Sequence, residues 1–245
     1  MKSILVTGCN RGIGLGIIQH LTQLPKPPEN IFATCRDVTK AGKLKALAEA
    51  AGNVHIIEID LKDTGSYEKV VEIVTAKTGN EGLNVLFNNA GITNKFTRLG
   101  LVKEEQLTDV FLVNTVAPIM LTKAFLPLLK KAAAGREGFG IHRAAVINMT
   151  SMLGSIADNQ QGGFYPYRCS KAALNAATKS MSIDFKDDGI LATCIHPGWV
   201  KTDMGGPNAQ LEIDDCVRGL MKTLYSLGPK ENGCFIRWDG EPMPW

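Results

Sequence analysis

A strand-like segment followed by three glycines lies at the start of the chain and could bind a phosphate group. Residues Ser3–Gly14 read Ser-Ile-Leu-Val-Thr-Gly-Cys-Asn-Arg-Gly-Ile-Gly. The first glycine permits a tight turn, and the next lets backbone N–H groups approach the oxygens of a pyrophosphate. The helix predicted to begin near Gly12 would present its unpaired N–H groups to that anion. No Lys-Ser or Lys-Thr pair follows, so the loop favours a dinucleotide over the phosphate loop of an ATPase; glycines that serve turn geometry alone are the alternative.

A second group of residues could move a proton. Tyr167 and Lys171 are four positions apart and would share one face of a helix. An ammonium group beside a phenol stabilises the phenolate, so this spacing predicts a lowered pKa for Tyr167 and a proton donor that works near neutral pH. The other three tyrosines have no lysine four residues later. An exposed pair without a chemical role is the alternative.

Short apolar or β-branched segments alternate along the chain with segments of helical periodicity. The predicted strands are Ile4–Thr7, Ile31–Thr34, Val54–Ile59, Val85–Phe87, Ala144–Met149, Ala192–Ile195 and Cys234–Arg237. The predicted helices are Ile13–Leu24, Ala41–Ala51, Tyr67–Thr78, Glu104–Leu129, Tyr167–Phe185 and Asp214–Leu227. This alternation predicts an α/β fold of the Rossmann type, a doubly wound sheet of about seven parallel strands with helices on both faces. Residues 1–245 contain no evident linker or repeat, and we expect them to form a single dinucleotide-binding catalytic domain.

Composition narrows the classes of partner. The net charge is only +3 and the basic residues are scattered, so we expect no nucleic acid and no membrane partner. No apolar run is expected to reach the length of a bilayer span, and the first strand begins too early to leave room for a signal peptide. The six cysteines are widely spaced and are expected to be reduced thiols, and no metal site is expected. These features together predict a cytoplasmic protein.

Polar motifs fall where the predicted strands end. Thr7-Gly8 ends the first strand, the stretch Asn88–Gly91 ends the fourth, Ser151 follows the fifth, and Pro197-Gly198 follows the sixth. Tyr167 opens the helix between the last two. In this order the motifs resemble those of the short-chain dehydrogenase/reductase family, and the resemblance covers nearly the whole chain.

Three further segments refine the resemblance. They are the glycine loop, the sequence Tyr-Arg-Cys-Ser-Lys from Tyr167 to Lys171, and Trp238-Asp239-Gly240 near the C-terminus. Within the family they are most similar to carbonyl reductases of the Sniffer type. The resemblance therefore implies reduction of a carbonyl group with a nicotinamide cofactor.

The resemblance also assigns catalytic roles. Tyr167 would protonate the carbonyl oxygen while hydride reaches the carbonyl carbon, and Lys171 would also hold the ribose of the cofactor. Ser151 would donate a hydrogen bond to the same oxygen. Thr150 and Ser155 compete for that role, and a turn serine that bonds only its own backbone is the alternative. The sixteen-residue step from Ser151 to Tyr167 is longer than the family pattern suggests, which affects the expected shape of the pocket lip.

Asn114 lies within an apolar helical run, where its amide must find hydrogen-bond partners. The resemblance implies that Asn114 supports a proton-relay water beside the lysine. A core asparagine bonded only to the backbone is the alternative. Asn89 is expected only to brace the sheet.

The choice of cofactor depends on the end of the second strand. An acid there bonds the ribose 2′-hydroxyl of NAD, whereas a basic residue accommodates the 2′-phosphate of NADP. Arg36 follows that strand and Arg11 precedes Gly12, so two guanidinium groups could bind one phosphate; Asp37 is counter-evidence because it could pair with Arg36. The sequence thus favours NADP(H). The residues expected to bind the cofactor are Gly8, Asn10, Arg11, Gly12, Ile13, Gly14, Arg36, Asp60, Leu61, Asn88, Ala90, Gly91, Tyr167, Lys171, Pro197, Gly198, Val200 and Thr202.

The residues expected around the substrate are apolar. They are Met152, Leu153, Phe164, Trp199 and Met204, with the segment Gly205–Pro207 as a hinged lid. This lining predicts a small hydrophobic substrate, an aldehyde, a ketone or a quinone. Two other functions remain open, namely a non-catalytic NADP-binding sensor or scaffold, and a ketoacyl-type reductase with a basic entrance for the phosphopantetheine of a carrier.

Small side chains on the helix after Tyr167 bear on assembly. Ala172, Ala173, Ala176 and Ala177 would let a second helix approach closely, which predicts a homodimer or a larger homo-oligomer. An alanine face packed on the chain's own sheet is the alternative.

Overall fold

Seven strands form one parallel sheet in the computed structural model, which describes residues 1–94 and 96–245. The strands are β1 (Ser3–Val6), β2 (Asn30–Cys35), β3 (Val54–Glu58), β4 (Val85–Asn88), β5 (Ala145–Met149), β6 (Leu191–His196) and β7 (Phe235–Arg237). Their order is β3-β2-β1-β4-β5-β6-β7, and every neighbouring pair is parallel. The predicted Rossmann-type sheet is confirmed, and each predicted strand lies within one residue of its observed bounds.

Helices cover both faces of the sheet. They are α1 (Gly12–Thr22), α2 (Gly42–Ala51), α3 (Tyr67–Thr78), α4 (Glu104–Phe111), α5 (Ala117–Ala133), α6 (Tyr165–Asp184) and α7 (Ile213–Ser226). Ile4 and Val6 of β1 pack in a hydrophobic cluster with α1, α2 and α7, whereas Leu5 packs in a second cluster with α3, α5 and α6. Because successive strand side chains point to opposite faces, a sheet covered on both sides needs apolar residues at every position of its inner strands.

The strand order reverses between β1 and β4, where a crevice opens at the carboxyl ends. Hydrogen bonds hold those two ends together. The Thr7 hydroxyl accepts from the N–H groups of Asn89 and Ala90, each at 3.0 Å, and Asn89 Nδ2 donates to the Thr7 carbonyl at 2.8 Å. These contacts show that Asn89 braces the sheet as expected, but Asn89 also lines the cavity, so bracing is not its only place in the structure.

The helix predicted over Glu104–Leu129 is continuous but irregular. A π-helical turn, Leu112–Val116, joins α4 to α5. By length and composition the resulting helix, Glu104–Ala133, could cross a membrane, because an 18-residue window within it has a mean hydropathy of 1.6. The expectation that no apolar run reaches that length is therefore wrong. Of its apolar stretch, 56% is buried inside the fold, as in a core helix that packs on a sheet.

Helix α6 begins at Tyr165, two residues before the predicted start. Pro166 is tolerated in the first turn because its missing N–H has no intrahelical partner there. The buried side of α6 carries Lys171, Leu174 and Thr178, whereas the four alanines from Ala172 to Ala177 are half-buried or exposed. The alternative in which these alanines pack on the chain's own sheet is therefore wrong, and the oligomer remains a prediction.

Candidate active site

A cavity of about 1120 Å³ opens along the carboxyl edge of the sheet. Fifteen of the residues predicted to bind a cofactor line it, namely Gly8, Asn10, Arg11, Gly12, Ile13, Gly14, Arg36, Asp60, Leu61, Ala90, Gly91, Tyr167, Lys171, Pro197 and Thr202. The loops after different strands thus meet in one space, because the carboxyl ends of parallel strands lie at the same edge.

Three predicted cofactor residues lie elsewhere. Asn88 is buried, and its Nδ2 donates to Asn148 Oδ1 at 2.8 Å within the core. Gly198 faces Trp238, which a Cβ at that position would approach to 3.1 Å, and Val200 belongs to a core cluster. The strand-end motifs place these residues near the cavity but do not specify which side of the chain faces it.

The glycine loop is packed so closely that a larger side chain would not fit in it. A Cβ on Gly14 would lie 2.3 Å from the Gly8 carbonyl oxygen, and Gly12 has a φ of 58°. The first turn of α1 receives no side-chain cap and contains no acidic residue. Its N–H groups and the positive end of the helix dipole therefore suit an anion such as a pyrophosphate.

Asp37 does not pair with Arg36. The Asp37 carboxylate accepts from the Thr39 N–H at 2.9 Å and forms an ion pair with Lys40 at 2.9 Å. These hydrogen bonds from Thr39 and Lys40 lower the pKa of Asp37 to about 2. The predicted competition of Asp37 for Arg36 is therefore wrong, and Arg36, Asp37 and Lys40 all line the cavity.

Arg11 has a competing partner within the chain. Its guanidinium lies 2.5 Å from Asp203, and the two side chains are 71% and 72% exposed. Exposed ion pairs contribute little free energy, so an incoming phosphate can replace Asp203. Neither Lys40 nor Asp203 was predicted from the sequence; a third basic residue four positions after Arg36 was the available signal for Lys40.

Tyr167 and Lys171 meet as their spacing predicts, but burial governs their acidity. Lys171 Nζ lies 5.8 Å from the centroid of the Tyr167 ring and donates to the Met149 carbonyl at 2.8 Å. Burial lowers the pKa of Lys171 to about 8. Burial also raises the pKa of Tyr167 to about 12, against the opposing effect of a hydrogen bond from Ser151. The predicted lowering of the Tyr167 pKa is wrong, because the loss of solvation outweighs the opposing effect of Ser151.

Ser151 lies just after β5 and is 8% exposed. Its Oγ accepts from the Leu153 N–H at 3.1 Å, and the same side chain lies near enough to the Tyr167 phenol to oppose the rise of the Tyr167 pKa. The hydroxyl has one proton and two lone pairs, so it can cap its own turn and still contact a second group. The turn-serine alternative is thus true of Ser151 without excluding a catalytic role.

The two competing hydroxyls are engaged elsewhere. Thr150 Oγ1 donates to Asn175 Oδ1 at 2.6 Å. Ser155 Oγ donates to the backbone oxygen of Trp245 at 3.2 Å. Only Ser151, of these three, contacts Tyr167 through its side chain.

Asn114 lies on the π-helical turn and is fully buried. Its Oδ1 accepts from the Ile92 N–H at 2.8 Å, and its Nδ2 donates to the Ile92 carbonyl at 2.9 Å and to Ser170 Oγ at 3.1 Å. A Cβ on Gly91 would lie 3.3 Å from Asn114 Oδ1 and 3.5 Å from Lys171 Nζ. Asn114 and Lys171 therefore converge on Gly91, although the side-chain amide of Asn114 bonds the backbone and a serine. π-Bulges of this kind recur at functional sites.

Of the five residues predicted to surround the substrate, Met204 lines the cavity, whereas Met152, Leu153, Phe164 and Trp199 are not part of its lining. Met204 is 48% exposed. Trp199 is 51% exposed and donates from Nε1 to the carbonyl of Gly205, the residue after Met204, at 2.8 Å. Phe164 stacks edge-on against Phe96 with 5.0 Å between ring centroids. The exposed Met204 and Trp199 side chains suit an apolar ligand.

No group of three or more His, Cys, Asp or Glu side chains that could hold a metal ion occurs within residues 1–94 and 96–245. All six cysteines are free. The chemistry that this site supports is proton transfer and hydrogen bonding beside a bound cofactor.

Comparisons with known proteins agree with this geometry. The family model for short chain dehydrogenases matches residues 2–212. The chain is similar in structure to the carbonyl reductase Sniffer of D. melanogaster, at 51% identity over 100% of both chains and a TM-score of 0.99. It is also similar to an NADPH-bound carbonyl reductase from chicken fatty liver, at 43% identity over 100% of this chain and 99% of that one, with a TM-score of 0.95. The C-signal protein of Myxococcus xanthus is 41% identical over 163 residues, which are 66% of this chain and 93% of that protein.

Proposed function

Because this chain belongs to the short-chain dehydrogenase family, we propose that it is an NADP(H)-dependent carbonyl reductase that acts on hydrophobic aldehydes, ketones or quinones. One observation carries the proposal. Tyr167 lines the same cavity as the glycine loop and the cations at the end of β2. The chicken relative with NADPH bound supports the cofactor, and the Sniffer relative supports the reaction class.

The residues present fit NADP(H). The N–H groups at the start of α1 would hold the pyrophosphate, and Arg11, Arg36 and Lys40 would hold the 2′-phosphate. Asp60 and Leu61 would border the adenine. The bound nicotinamide would supply the hydride.

Tyr167 would donate the proton to the carbonyl oxygen. With a pKa of about 12 the phenol is protonated at neutral pH, as a general acid must be. Lys171, with a pKa of about 8, is mostly charged at pH 7 and would stabilise the phenolate that forms. Ser151 would donate a hydrogen bond to the developing negative charge on the carbonyl oxygen.

NADPH oxidation with a panel of hydrophobic aldehydes, ketones and quinones tests this function. We expect turnover that rises with the apolar area of the substrate and a strong preference for NADPH over NADH. Absence of turnover with every carbonyl, despite tight NADPH binding, would favour the non-catalytic sensor.

Three further properties belong to the proposal. Residues 1–245 would act as a single catalytic domain, in the cytoplasm, without nucleic acid or membrane partners. The exposed alanines of α6 would pair two copies of the chain. Sedimentation at micromolar concentration tests the pairing, and we expect Ala176→Arg, on an exposed position, to yield a monomer.

A further inference from the structure

We infer that Arg168 is a positioning residue that holds Ser151 in its working arrangement with Tyr167. The inference rests on the proposed function, because it assigns Arg168 an effect on the rate of carbonyl reduction. It concerns the residue immediately after the proposed acid.

The guanidinium group of Arg168 joins both ends of the segment 153–162, which we call the lip. Arg168 Nε donates to the Gly162 carbonyl at 3.3 Å, and its Nη1 donates to the Leu153 carbonyl at 3.4 Å. Leu153 lies two residues after Ser151, and its own N–H donates to Ser151 Oγ. Arg168 therefore links the turn that presents Ser151 to the helix that presents Tyr167.

The surroundings of Arg168 indicate that its guanidinium serves to direct hydrogen bonds to backbone carbonyls. The side chain is 9% exposed, and no carboxylate forms an ion pair with it in the described part of the chain. A buried cation bonded only to carbonyls is unfavourable unless its hydrogen bonds are needed. The guanidinium directs several donors at fixed angles, which an ammonium on a flexible chain does not.

The backbone that Arg168 holds is a strained one. Gly162, Gly163 and Phe164 are consecutive residues with φ of 63°, 68° and 50°, and Phe164 is the only non-glycine residue with a positive φ among those described. Such a conformation persists only when its surroundings impose it. The bond to the Gly162 carbonyl fastens the start of this turn, and the Phe164 carbonyl accepts from the Arg168 N–H at 2.9 Å.

Two neighbours on the same helix face also reach the segment after β5, but not the far end of the lip. Lys171 donates to the Met149 carbonyl at 2.8 Å, and Asn175 Nδ2 donates to the Gly154 carbonyl at 3.3 Å. Arg168 alone of these three also contacts Gly162. It is the contact through which the lip and the Ser151 turn move together.

The test compares Arg168→Met and Arg168→Lys with Arg143→Met. Arg143 is a matched control, because its Nε and Nη1 donate to the carbonyls of Ala133 at 3.1 Å and Gly138 at 2.9 Å, before the amino end of β5. We expect Arg168→Met to lower kcat about 10- to 100-fold, the effect of misplacing a catalytic group by about 1 Å, with the Kd for NADPH within about twofold of the wild type. Arg168→Lys should be intermediate, and Arg143→Met should leave kcat unchanged. A folded Arg168→Met variant with wild-type kcat would overturn the inference.

A double-mutant cycle separates positioning from general damage. If Arg168 acts through Ser151, Arg168→Met should lower kcat less than about twofold when Ser151→Ala is already present. If the fold loss of kcat in the double variant equals the product of the losses in the two single variants, Arg168 acts by another route and the inference is overturned. Should Arg168→Met not fold, Arg168→Lys takes its place in the cycle.

The turnover of the wild-type protein tests the proposed function separately from the role of Arg168. Hydrogen exchange of residues 151–164 tests the link even if no carbonyl is reduced. We expect the amides of this segment to exchange about tenfold faster in Arg168→Met than in the wild type. Arg143→Met should leave their exchange rates unchanged. Unchanged exchange would overturn the inference.

Discussion

The two ends of the cavity are built by different means. At the phosphate end, backbone N–H groups and exposed cations such as Arg11 and Arg36 face the cavity. At the chemical end, Ser151 and Lys171 are buried side chains, and the phenol of Tyr167 is shielded enough that its pKa rises to about 12. Exposed charges are screened by solvent and act nearly independently, whereas buried groups shift one another's properties. Substitutions should therefore have graded effects at the first end and large, coupled effects at the second.

The largest expected effect is that of Tyr167→Phe. Removing the phenolic hydroxyl should lower kcat about 10²- to 10⁴-fold, the usual contribution of a general acid, with the affinity for NADPH within a few-fold of the wild type. Stopped-flow turnover and cofactor titration measure the two quantities. Tyr165→Phe, in the same helical turn, is the control and should keep full activity. Substantial turnover in Tyr167→Phe would assign the acid to another residue.

The buried end of the cavity should also show itself in the pH dependence of stability, which Lys171→Met tests. The pKa of Lys171 falls from 10.5 to about 8 on folding, so between these values the unfolded chain binds more protons than the folded one. The free energy of unfolding of the wild type should therefore rise with pH across this window, by up to about 3 kcal/mol relative to Lys171→Met, which cannot titrate. Urea unfolding of both proteins from pH 7.5 to pH 10.5 measures the difference. A difference that is constant with pH would contradict burial of the charged amine.

Arg11→Ala and Arg36→Ala probe the phosphate end. Each should weaken NADPH binding by about 1.5–3 kcal/mol, the scale of a hydrogen bond to a charged group, and leave NADH nearly unchanged. The double variant should nearly abolish the preference, although the single effects need not add because both groups would contact one phosphate. Lys45→Ala, at an exposed position of α2, is the control. Equal weakening of both cofactors would remove Arg36 from the phosphate site.

The smallest expected effect is a difference in stability between two glycine-to-alanine variants. Gly14→Ala places a methyl group 2.3 Å from the Gly8 carbonyl and should lower the free energy of unfolding by about 1–3 kcal/mol, with weaker NADPH binding. Gly42→Ala meets nothing within 4 Å at the start of α2 and should be neutral or stabilising by less than about 1 kcal/mol. Equal outcomes in thermal unfolding would mean that the loop relaxes around the added methyl.

The two ends also differ in how far the sequence predicted them. The glycine loop is one continuous segment whose function follows from local backbone geometry, and its three glycines all line the cavity. The chemical end joins Asn114, Ser151 and Tyr167 from separate segments. Ser151 and Tyr167 were expected to meet from their positions at predicted strand and helix ends, whereas Asn114, inside a predicted helix, was assigned to the site only through the family resemblance. Asn88 shows the limit, because its position at a strand end was predicted while its direction, into the core, was not.

The sequence by itself determined the order and bounds of the strands, the parallel sheet and the adjacency of Tyr167 and Lys171, since all of these follow from local periodicity. Only the tertiary structure decided that Tyr167 is a weaker acid than its spacing predicts, that Asp37 pairs with Lys40, and that Arg168 joins the two ends of the lip. The physical reason is that burial and hydrogen-bond direction depend on which distant segments surround a side chain, and no local pattern contains that information.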